Sequence, residues 1–189
     1  QTGAKSFECL VLMVAHQESK IIHCGKFAPG LINFQKNKNP LYCNGNDDEV
    51  LTNSDGFDKG VMQINTEVHK NVDALDFIKN VNYGIDYLIK NYQTRSNKYT
   101  CNGKSYLGWN VALRYYNGWN TNCNVGDKNY VENVNLQKET IKKLFPSVCG
   151  DNVTTAGESC TEFSPPSFSN KVLNIGVANE RVLEVAKEL

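Results

Sequence analysis

A single glutamate, Glu18, lies on the apolar stripe of the first helix that the sequence predicts. It follows Val14 by four residues and precedes Ile21 by three, so helical spacing places its carboxyl group among hydrophobic side chains. Burial there raises the pKa of a carboxyl group and keeps it protonated near neutral pH, as a general acid requires. The residues alone leave a second interpretation open: a solvated glutamate at the end of the helix, paired with Lys20 or His23.

Four short segments with polar and aromatic residues follow the Glu18-Ser19 pair. They are, in chain order, Gly60-Val61-Met62-Gln63-Ile64-Asn65, Asn80-Val81-Asn82-Tyr83-Gly84-Ile85-Asp86-Tyr87-Leu88, Ala112-Leu113-Arg114-Tyr115-Tyr116-Asn117-Gly118 and Asn129-Tyr130-Val131-Glu132-Asn133-Val134. Gly60 permits a close backbone approach, and the amide of Gln63 offers a ligand both a donor and an acceptor. Each segment alone is a weak signal, but the pair and the segments in one order form a specific signature.

This order and spacing resembles the soluble lytic transglycosylase family, a branch of the lysozyme-like fold, over about residues 7 to 145. Members carry a Glu-Ser pair at the end of a helix, a Gly-Leu-Met-Gln segment, an Asn-x-x-x-Gly-x-x-Tyr-Leu helix, an Ala-x-x-Tyr-Asn-x-Gly turn and a late Tyr-Val-x-x-Val. The chain departs from this pattern in its cysteines, in Val61 for Leu, in a turn one residue shorter before Gly118, and in a longer loop between Cys24 and Phe57. These departures concern the substrate cleft and the source, not the reaction class.

The resemblance implies a mainly α, lysozyme-like fold of the α+β lysozyme superfamily that cleaves the β-1,4 bond between N-acetylmuramic acid and N-acetylglucosamine in peptidoglycan. Glu18 would protonate the leaving oxygen while the acetamido group of the substrate stabilises the sugar cation. The deprotonated Glu18 would then take the proton of the C6 hydroxyl, which closes on C1 to give a 1,6-anhydromuramoyl end. No metal or organic cofactor is implied. The partners would be glycan strands, with membership of a larger secretion or phage assembly left open.

The resemblance also implies a substrate-binding set near the acid, which comprises Ser19, Met62, Gln63, Tyr116, Asn117 and Tyr130. Ser19 would hydrogen-bond the substrate or Glu18, and its alternative is a solvent-facing serine near a helix end. Met62 and Gln63 would line the cleft, although a core position is a serious alternative for Met62. Gln63 would use its amide to bind a sugar.

The remaining members of that set come later in the chain. Tyr116 ends a buried stripe, so its ring is expected to be packed, while the resemblance implies that its hydroxyl points at Glu18 or at the acetamido group. Asn117 would shape the turn that follows. Tyr130 is equally a cleft residue or a core residue. Asn82 is expected to be structural and to tie the start of its helix to the preceding loop.

Hydrolysis of the same bond is the first rival function, since goose-type lysozymes share the Glu-Ser helix. The stretch from Gly60 to Asn65, followed by His69, resembles their Gly-Leu-Met-Gln-Val-Asp…His stretch. Those enzymes position a water with aspartates just before that segment, where this chain has Asp55 and Asp58. The alternative for both aspartates is turn chemistry beside Gly56. A second rival is a non-catalytic wall-binding or virion structural domain, and the intact acid argues against it.

Apolar periodicity predicts helices and few strands, which makes the class mainly α. The helices are expected, in chain order, over Phe7 to Ile22, Ala74 to Tyr92, Trp109 to Tyr116 and Asp127 to Phe145, the last halted by Pro146. Ser6 is the expected cap of the first helix, and Asp73 or Asp76 that of the second. The stretches 24–57 and 97–104 are predicted as loops because Gly, Pro and Asn interrupt any period.

Two regions follow from this pattern. Residues 1–149 are predicted to form the single catalytic domain, and residues 150–189 a Ser- and Pro-rich linker with a short C-terminal helix. That helix would place Val182, Val185, Ala186 and Leu189 on one face. No internal repeat is visible.

The overall composition excludes several classes of partner. In 189 residues, 20 Lys and Arg balance 20 Asp and Glu, so a generic basic footprint for nucleic acid or an anionic membrane is absent. No apolar run reaches the ~18 residues that a membrane span needs.

The seven cysteines contain no Cys-x-x-Cys pair and are accompanied by only three histidines, which argues against a zinc site. They indicate an oxidising compartment and two or three disulfides, hence a secreted, periplasmic or virion-associated protein. Cys24 and Cys43 could pin the long loop, and Cys9, in an apolar helix, is the best candidate for a free thiol.

Overall fold

The computed structural model describes residues 6–26, 35–36, 43, 49–95, 97–101, 103–118 and 125–150. About half of these residues are helical, and the strands among them form three two-stranded antiparallel sheets. The mainly α class is therefore confirmed for the described part of the chain. The structure does not describe residues 151–189, so the predicted C-terminal helix and all but the first residue of the predicted linker lie outside the described residues.

Six helices and six short strands make up the described elements. The helices are α1 (Phe7–Ser19), α2 (Phe77–Arg95), α3 (Trp109–Tyr116), α4 (Tyr130–Leu136), α5 (Lys138–Leu144) and α6 (Pro146–Cys149). The strands are β1 (Gly25–Lys26), β2 (Gln35–Lys36), β3 (Asp58–Lys59), β4 (Ile64–Asn65), β5 (Tyr99–Cys101) and β6 (Lys104–Tyr106), paired consecutively. Over these same ranges, no helix has the length and apolar character to cross a membrane.

The described residues form two compact units. One contains the residues up to 13 and those from 85 onward, and the other contains residues 14–84. In the first unit the ring of Trp109 stacks on Tyr92, with centroids 4.1 Å apart, and lies 5.1 Å from the ring of Phe7. The second unit buries Leu51 and Met62 fully. Each unit therefore has apolar side chains of its own to pack.

Helix α1 begins as predicted but ends earlier. The Ser6 hydroxyl oxygen accepts the Cys9 N–H at 3.1 Å, which is the bond expected of a capping serine. The helix stops at Ser19 because the next two residues, Lys20 and Ile21, have left-handed φ angles of 57° and 60°. The prediction that it continues past Ile21 is wrong, since the apolar period outlasts the helical backbone.

Helix α2 begins at Phe77 and not at Ala74. The carboxylate of Asp76 accepts the Lys79 N–H at 2.8 Å, so Asp76 is the cap of the two candidates. Asp73 instead forms an exposed salt bridge with the Lys79 ammonium at 2.8 Å. The aspartate nearer to the first apolar residue of the helix thus sets its start.

Two other local predictions are wrong. The stretch predicted as a loop over 97–104 contains β5 and the first residue of β6, and Gly103 adopts a φ of 77° at the turn of this hairpin. The β-branched and aromatic residues of this stretch were its strand signal. The single helix predicted from Asp127 to Phe145 is two helices, α4 and α5, with Gln137 between them, although it ends before Pro146 as predicted. Pro146 is the first residue of α6, where a missing N–H costs nothing.

Two disulfides join described cysteines, Cys9 to Cys149 and Cys24 to Cys43, and Cys101 is disulfide-bonded as well. The expected link between Cys24 and Cys43 is present. The prediction that Cys9 is a free thiol is wrong: it is buried in α1, and its partner in α6 is equally buried. Disulfides persist in oxidising compartments, so these bonds are consistent with a secreted, extracytoplasmic protein.

Replacing both Cys9 and Cys149 by alanine is expected to lower the free energy of unfolding more than replacing both Cys24 and Cys43. The sequence separations are 140 and 19 residues. In the chain-entropy model the longer loop is worth about 5 kcal/mol and the shorter about 3 kcal/mol. Urea unfolding of the two double variants measures the difference. A larger loss in the Cys24 and Cys43 variant would show that native packing outweighs loop entropy.

Candidate functional site

The candidate acid lies in the last turn of α1, within the unit of residues 14–84. Glu18 is half-buried and Ser19 is fully buried. The Ser19 hydroxyl donates to the Val61 carbonyl at 2.7 Å and lies 3.1 Å from the Ala15 carbonyl, while its oxygen accepts the Ile22 N–H at 3.2 Å. Ser19 therefore fixes the end of α1 to the turn that contains Val61. These bonds favour a positioning role for Ser19 over a contact with substrate.

The chain leaves α1 through a strained backbone. Lys20, Ile21 and Gln63 are the described non-glycine residues with positive φ, at 57°, 60° and 45°. Such a conformation costs about 1–3 kcal/mol per residue, and the β-branched Ile21 is a clear outlier. The Ile21 N–H donates to the Ala15 carbonyl at 3.3 Å, a helix-end bond that holds this form. All three residues belong to the two segments that Ser19 joins, and strain of this kind clusters at functional sites.

His23 follows this exit and is almost wholly buried. Its Nε2 lies 2.8 Å from the Leu75 carbonyl and must carry the hydrogen, which leaves Nδ1 to accept the Val61 N–H at 3.2 Å. The ring of Phe77 packs edge-on, with centroids 5.4 Å apart. Burial lowers the pKa of His23, and the Leu75 carbonyl and the charge of Asp76 oppose this shift. The side chain is thus a neutral imidazole that joins separate segments.

Asn80 of α2 holds the adjacent residue of the same turn. Its Oδ1 accepts the Met62 N–H at 2.9 Å, and its Nδ2 donates to the carbonyls of Lys59 and Ala74 at 2.8 and 2.9 Å. Every hydrogen of the buried amide group is therefore used. This is the tying role predicted for Asn82, and that prediction is wrong because Asn82 is exposed.

Gly60 begins the turn between β3 and β4 with a φ of 72°. A Cβ there would lie 2.6 Å from Asn80 Nδ2 and 2.7 Å from the His23 ring. Its own N–H donates to the Leu51 carbonyl at 2.7 Å. Glycine is thus required twice, by the backbone conformation and by the close approach of two polar side chains.

The two residues at the end of this turn differ in exposure. Met62 is fully buried, and a Cβ on Gly84 of α2 would lie 2.7 Å from its Cε, so Met62 packs in the core. Gln63 is half-buried, and its Nε2 donates to the Gly60 carbonyl at 2.7 Å, with the Leu51 carbonyl at 3.5 Å. Flipping this amide would set oxygen against oxygen. Gln63 Oε1 therefore faces away and accepts no hydrogen bond from the described residues, which leaves it available to a ligand donor.

The two candidate aspartates have different surroundings. Asp55 is exposed and accepts the Phe57 N–H at 3.0 Å, which is turn chemistry. Asp58 is half-buried in β3, and its two oxygens accept the side-chain amides of Asn53 and Asn65 at 2.6 and 2.8 Å. Burial raises the pKa of Asp58, the Asn65 bond opposes this, and the charge of Asp55 adds to it. Turn chemistry therefore describes Asp55 but not Asp58.

Tyr116, Asn117 and Tyr130 belong to the other unit. Tyr116 is half-buried, and its ring centroid lies 5.8 Å from that of Tyr87. Asn117 follows α3, and its Oδ1 accepts the Asp127 N–H, so it shapes the turn as expected. Tyr130 is buried. Contacts of these side chains with substrate stay predictions of the family resemblance.

Neither His23 nor Asn80 is predicted as a site residue from the sequence. A signal exists for Asn80, which begins the Asn-x-x-x-Gly segment and lies one helical turn before Gly84 on the buried face of α2. A polar side chain on a buried face must find hydrogen-bond partners, which marks it as a structural hub. His23 lies between Ile22 and Cys24, both buried, and the same reasoning applies to it.

Comparison with models of protein families, with curated proteins and with solved structures finds no match for this chain. Among the described residues, no group of three or more His, Cys, Asp or Glu side chains is arranged to hold a metal ion. Function therefore has to be inferred from the chemistry of the residues themselves.

The free energy of unfolding is expected to rise with pH in the range just below 6.5, with His23 as one cause. Its pKa is lowered in the folded protein from an ordinary value of 6.5, so the unfolded chain binds the proton more readily. The stabilising contribution is present above 6.5 and is lost as the pH falls toward the folded pKa.

Urea unfolding between pH 5 and 8 measures this slope in the protein and in His23→Gln, which cannot titrate. His16 and His69 are present in both proteins and serve as an internal control. The slope should be shallower in His23→Gln. An identical slope in the two proteins would mean that His23 titrates normally in the fold.

Proposed function

We propose that this protein is a peptidoglycan lytic transglycosylase of lysozyme-like fold, in which Glu18 acts first as a general acid and then as a general base. One observation supports this most directly. The half-buried Glu18 stands beside Ser19, whose hydroxyl bonds the Val61 carbonyl at 2.7 Å and so fastens the end of α1 to the Gly60–Gln63 turn. These are two of the segments on which the family resemblance depends.

The reaction needs an acid whose position is fixed before the substrate arrives. Glu18 protonates the glycosidic oxygen as the bond to C1 breaks, and the acetamido group of the substrate stabilises the resulting cation. The carboxylate then takes the proton of the C6 hydroxyl as that oxygen bonds C1. Both proton transfers use one carboxyl group, so its orientation affects the rate of each of the two steps.

The Gly60–Gln63 turn supplies the groups that would bind the sugar. Gln63 Oε1 is an acceptor with no partner among the described residues, and it suits a hydroxyl or an acetamido N–H. The bond from Gln63 Nε2 to the Gly60 carbonyl at 2.7 Å holds the amide in this orientation. Glycan strands of the cell wall are accordingly the proposed partners, and the proposed location is outside the cytoplasm.

Glu18→Gln is expected to remove wall-lytic activity by at least ~10²–10⁴-fold, because glutamine has the same shape but cannot donate or take the proton. Dye release from purified peptidoglycan measures the activity, and circular dichroism checks that the fold is kept. Glu139→Gln is the matched control, since Glu139 is exposed on α5. Lysis close to wild type by Glu18→Gln would exclude Glu18 as the acid. An inactive wild-type protein that still binds peptidoglycan would favour a non-catalytic wall-binding domain.

Goose-type hydrolysis is a second candidate because of Asp58. A second carboxylate about 6.5–9.5 Å from the acid could activate a water for inverting hydrolysis. Asp58 is half-buried with a raised pKa, as such a base would be, whereas Asp55 caps its own turn. Against this candidate, both Asp58 oxygens are already bound by asparagine amides. We therefore place the transglycosylase first.

The new ends are expected to be 1,6-anhydromuramoyl rather than reducing. The asparagine amides leave Asp58 fewer acceptor sites for a water, and the C6 hydroxyl is the better-placed nucleophile because it belongs to the bound substrate. Mass spectrometry of a peptidoglycan digest distinguishes the two, since anhydro ends are lighter by one water. Asp58→Asn should then retain anhydro production, apart from any loss of stability. Reducing ends that disappear in Asp58→Asn would establish the hydrolase instead.

A further inference from the structure

A continuous chain of hydrogen bonds runs from the start of α2 to the residue beside the acid. The Leu75 carbonyl accepts from His23 Nε2 at 2.8 Å, and His23 Nδ1 accepts the Val61 N–H at 3.2 Å. The Val61 carbonyl then accepts the Ser19 hydroxyl at 2.7 Å. Ser19 directly follows Glu18 in α1. Every link lies within the unit of residues 14–84.

We propose that His23 is a positioning residue of this site, which sets the place of Val61 and, through Ser19, the orientation of the Glu18 carboxyl group. The inference rests on the proposed function, since it assigns His23 a part in that reaction. In a purely structural role, His23 would only need to join its own segment to Leu75. The proposed positioning role also requires its bond to the Val61 N–H.

The surroundings of His23 indicate that its second bond is not incidental. Asn80 accepts the Met62 N–H but leaves the Val61 N–H to His23 alone. A buried N–H without an acceptor is costly, so this turn depends on the imidazole for its geometry. The glycine at position 60 is needed to admit the ring, because a Cβ there would lie 2.7 Å from Nδ1.

The path of the chain points the same way. His23 reaches its place only after the left-handed residues Lys20 and Ile21, with φ of 57° and 60°. Glycine is the residue that adopts this conformation without strain. The chain instead has side-chain residues at both positions, and the strained backbone leads directly to the buried imidazole of His23. Strain retained in this way is expected where geometry serves function.

Two substitutions separate the two bonds of His23. Glutamine carries its amide at the distance of Nε2, so His23→Gln keeps the donor to Leu75 and loses the acceptor for the Val61 N–H. Asparagine carries its amide oxygen at the distance of Nδ1, so His23→Asn keeps the acceptor and loses the donor. The two variants are similar in polarity and both abolish titration, which makes each the control of the other.

His23→Gln is expected to lower kcat on soluble glycan strands by about 10²-fold, as misplacement of a catalytic group does, with KM little changed. His23→Asn should keep kcat close to that of the wild-type protein, even if its melting temperature falls. Activity is measured well below the melting temperature of each variant, which is determined first. A structural role alone would move the melting temperature and leave kcat of the folded protein unaltered in both.

A double-mutant cycle with Ser19→Ala tests the route. If both side chains act through Val61, then Ser19→Ala combined with His23→Gln should lower kcat no further than the more damaging single change. Losses that multiply would show that His23 acts by a different route and would overturn the proposal, as would equal kcat values in His23→Gln and His23→Asn. Failure of the proposed function is distinguishable, because an inactive wild-type protein, or an active Glu18→Gln variant, would reveal it before any change at His23 is made.

Discussion

The backbone of Val61 is the point on which the candidate site depends. Its N–H donates to His23 Nδ1 at 3.2 Å and its carbonyl accepts the Ser19 hydroxyl at 2.7 Å, so one residue connects the end of α1 to the β3–β4 turn. Each such bond contributes only about 0.5–1.5 kcal/mol net, but leaving a buried partner unsatisfied costs about 1–3 kcal/mol. The side-chain oxygen of Asn80 accepts the N–H of the next residue, Met62. The turn is therefore held by buried polar groups that tolerate little displacement.

This arrangement is obtained against local preference. Ile21 and Gln63 occupy left-handed conformations that side chains disfavour, whereas the glycine at position 60 occupies one that it readily adopts. Left-handed conformations of this kind cost side-chain residues about 1–3 kcal/mol each. Ile21 and Gln63, together with Lys20, belong to the two segments that the buried hydrogen bonds join. The cost is thus concentrated where orientation matters most, as in proteins that trade stability for activity.

The sequence predicts the mainly α class, the Ser6 cap and the start of α1, because periodicity and capping are local properties. It does not predict the end of α1, since the apolar period continues through Ile21 while the backbone already adopts left-handed φ angles at Lys20 and Ile21. The partner of Cys9 is equally beyond reach, because it lies 140 residues away and spacing carries no pairing information. For the proposed site, Glu18 is recognisable in the sequence as a charge on the predicted apolar stripe. His23 is not, because its two hydrogen bonds join segments that only tertiary folding brings together.

Glu18 and Asp58, two of the carboxyl groups in the unit of residues 14–84, illustrate why environment, and not residue type, decides a role. Asp58 has its oxygens fixed by the amides of Asn53 and Asn65, bonds that favour its ionised form, while burial raises its pKa. The two amides occupy one acceptor site on each oxygen and hold the side chain in one orientation. The backbone of Glu18 is positioned by the next residue, Ser19, whose hydroxyl donates to the Val61 carbonyl at 2.7 Å. A reaction that uses one carboxyl group twice needs that group held in place throughout by the backbone that carries it. The anchored end of α1 meets this need, and it therefore favours the proposed single-carboxyl mechanism.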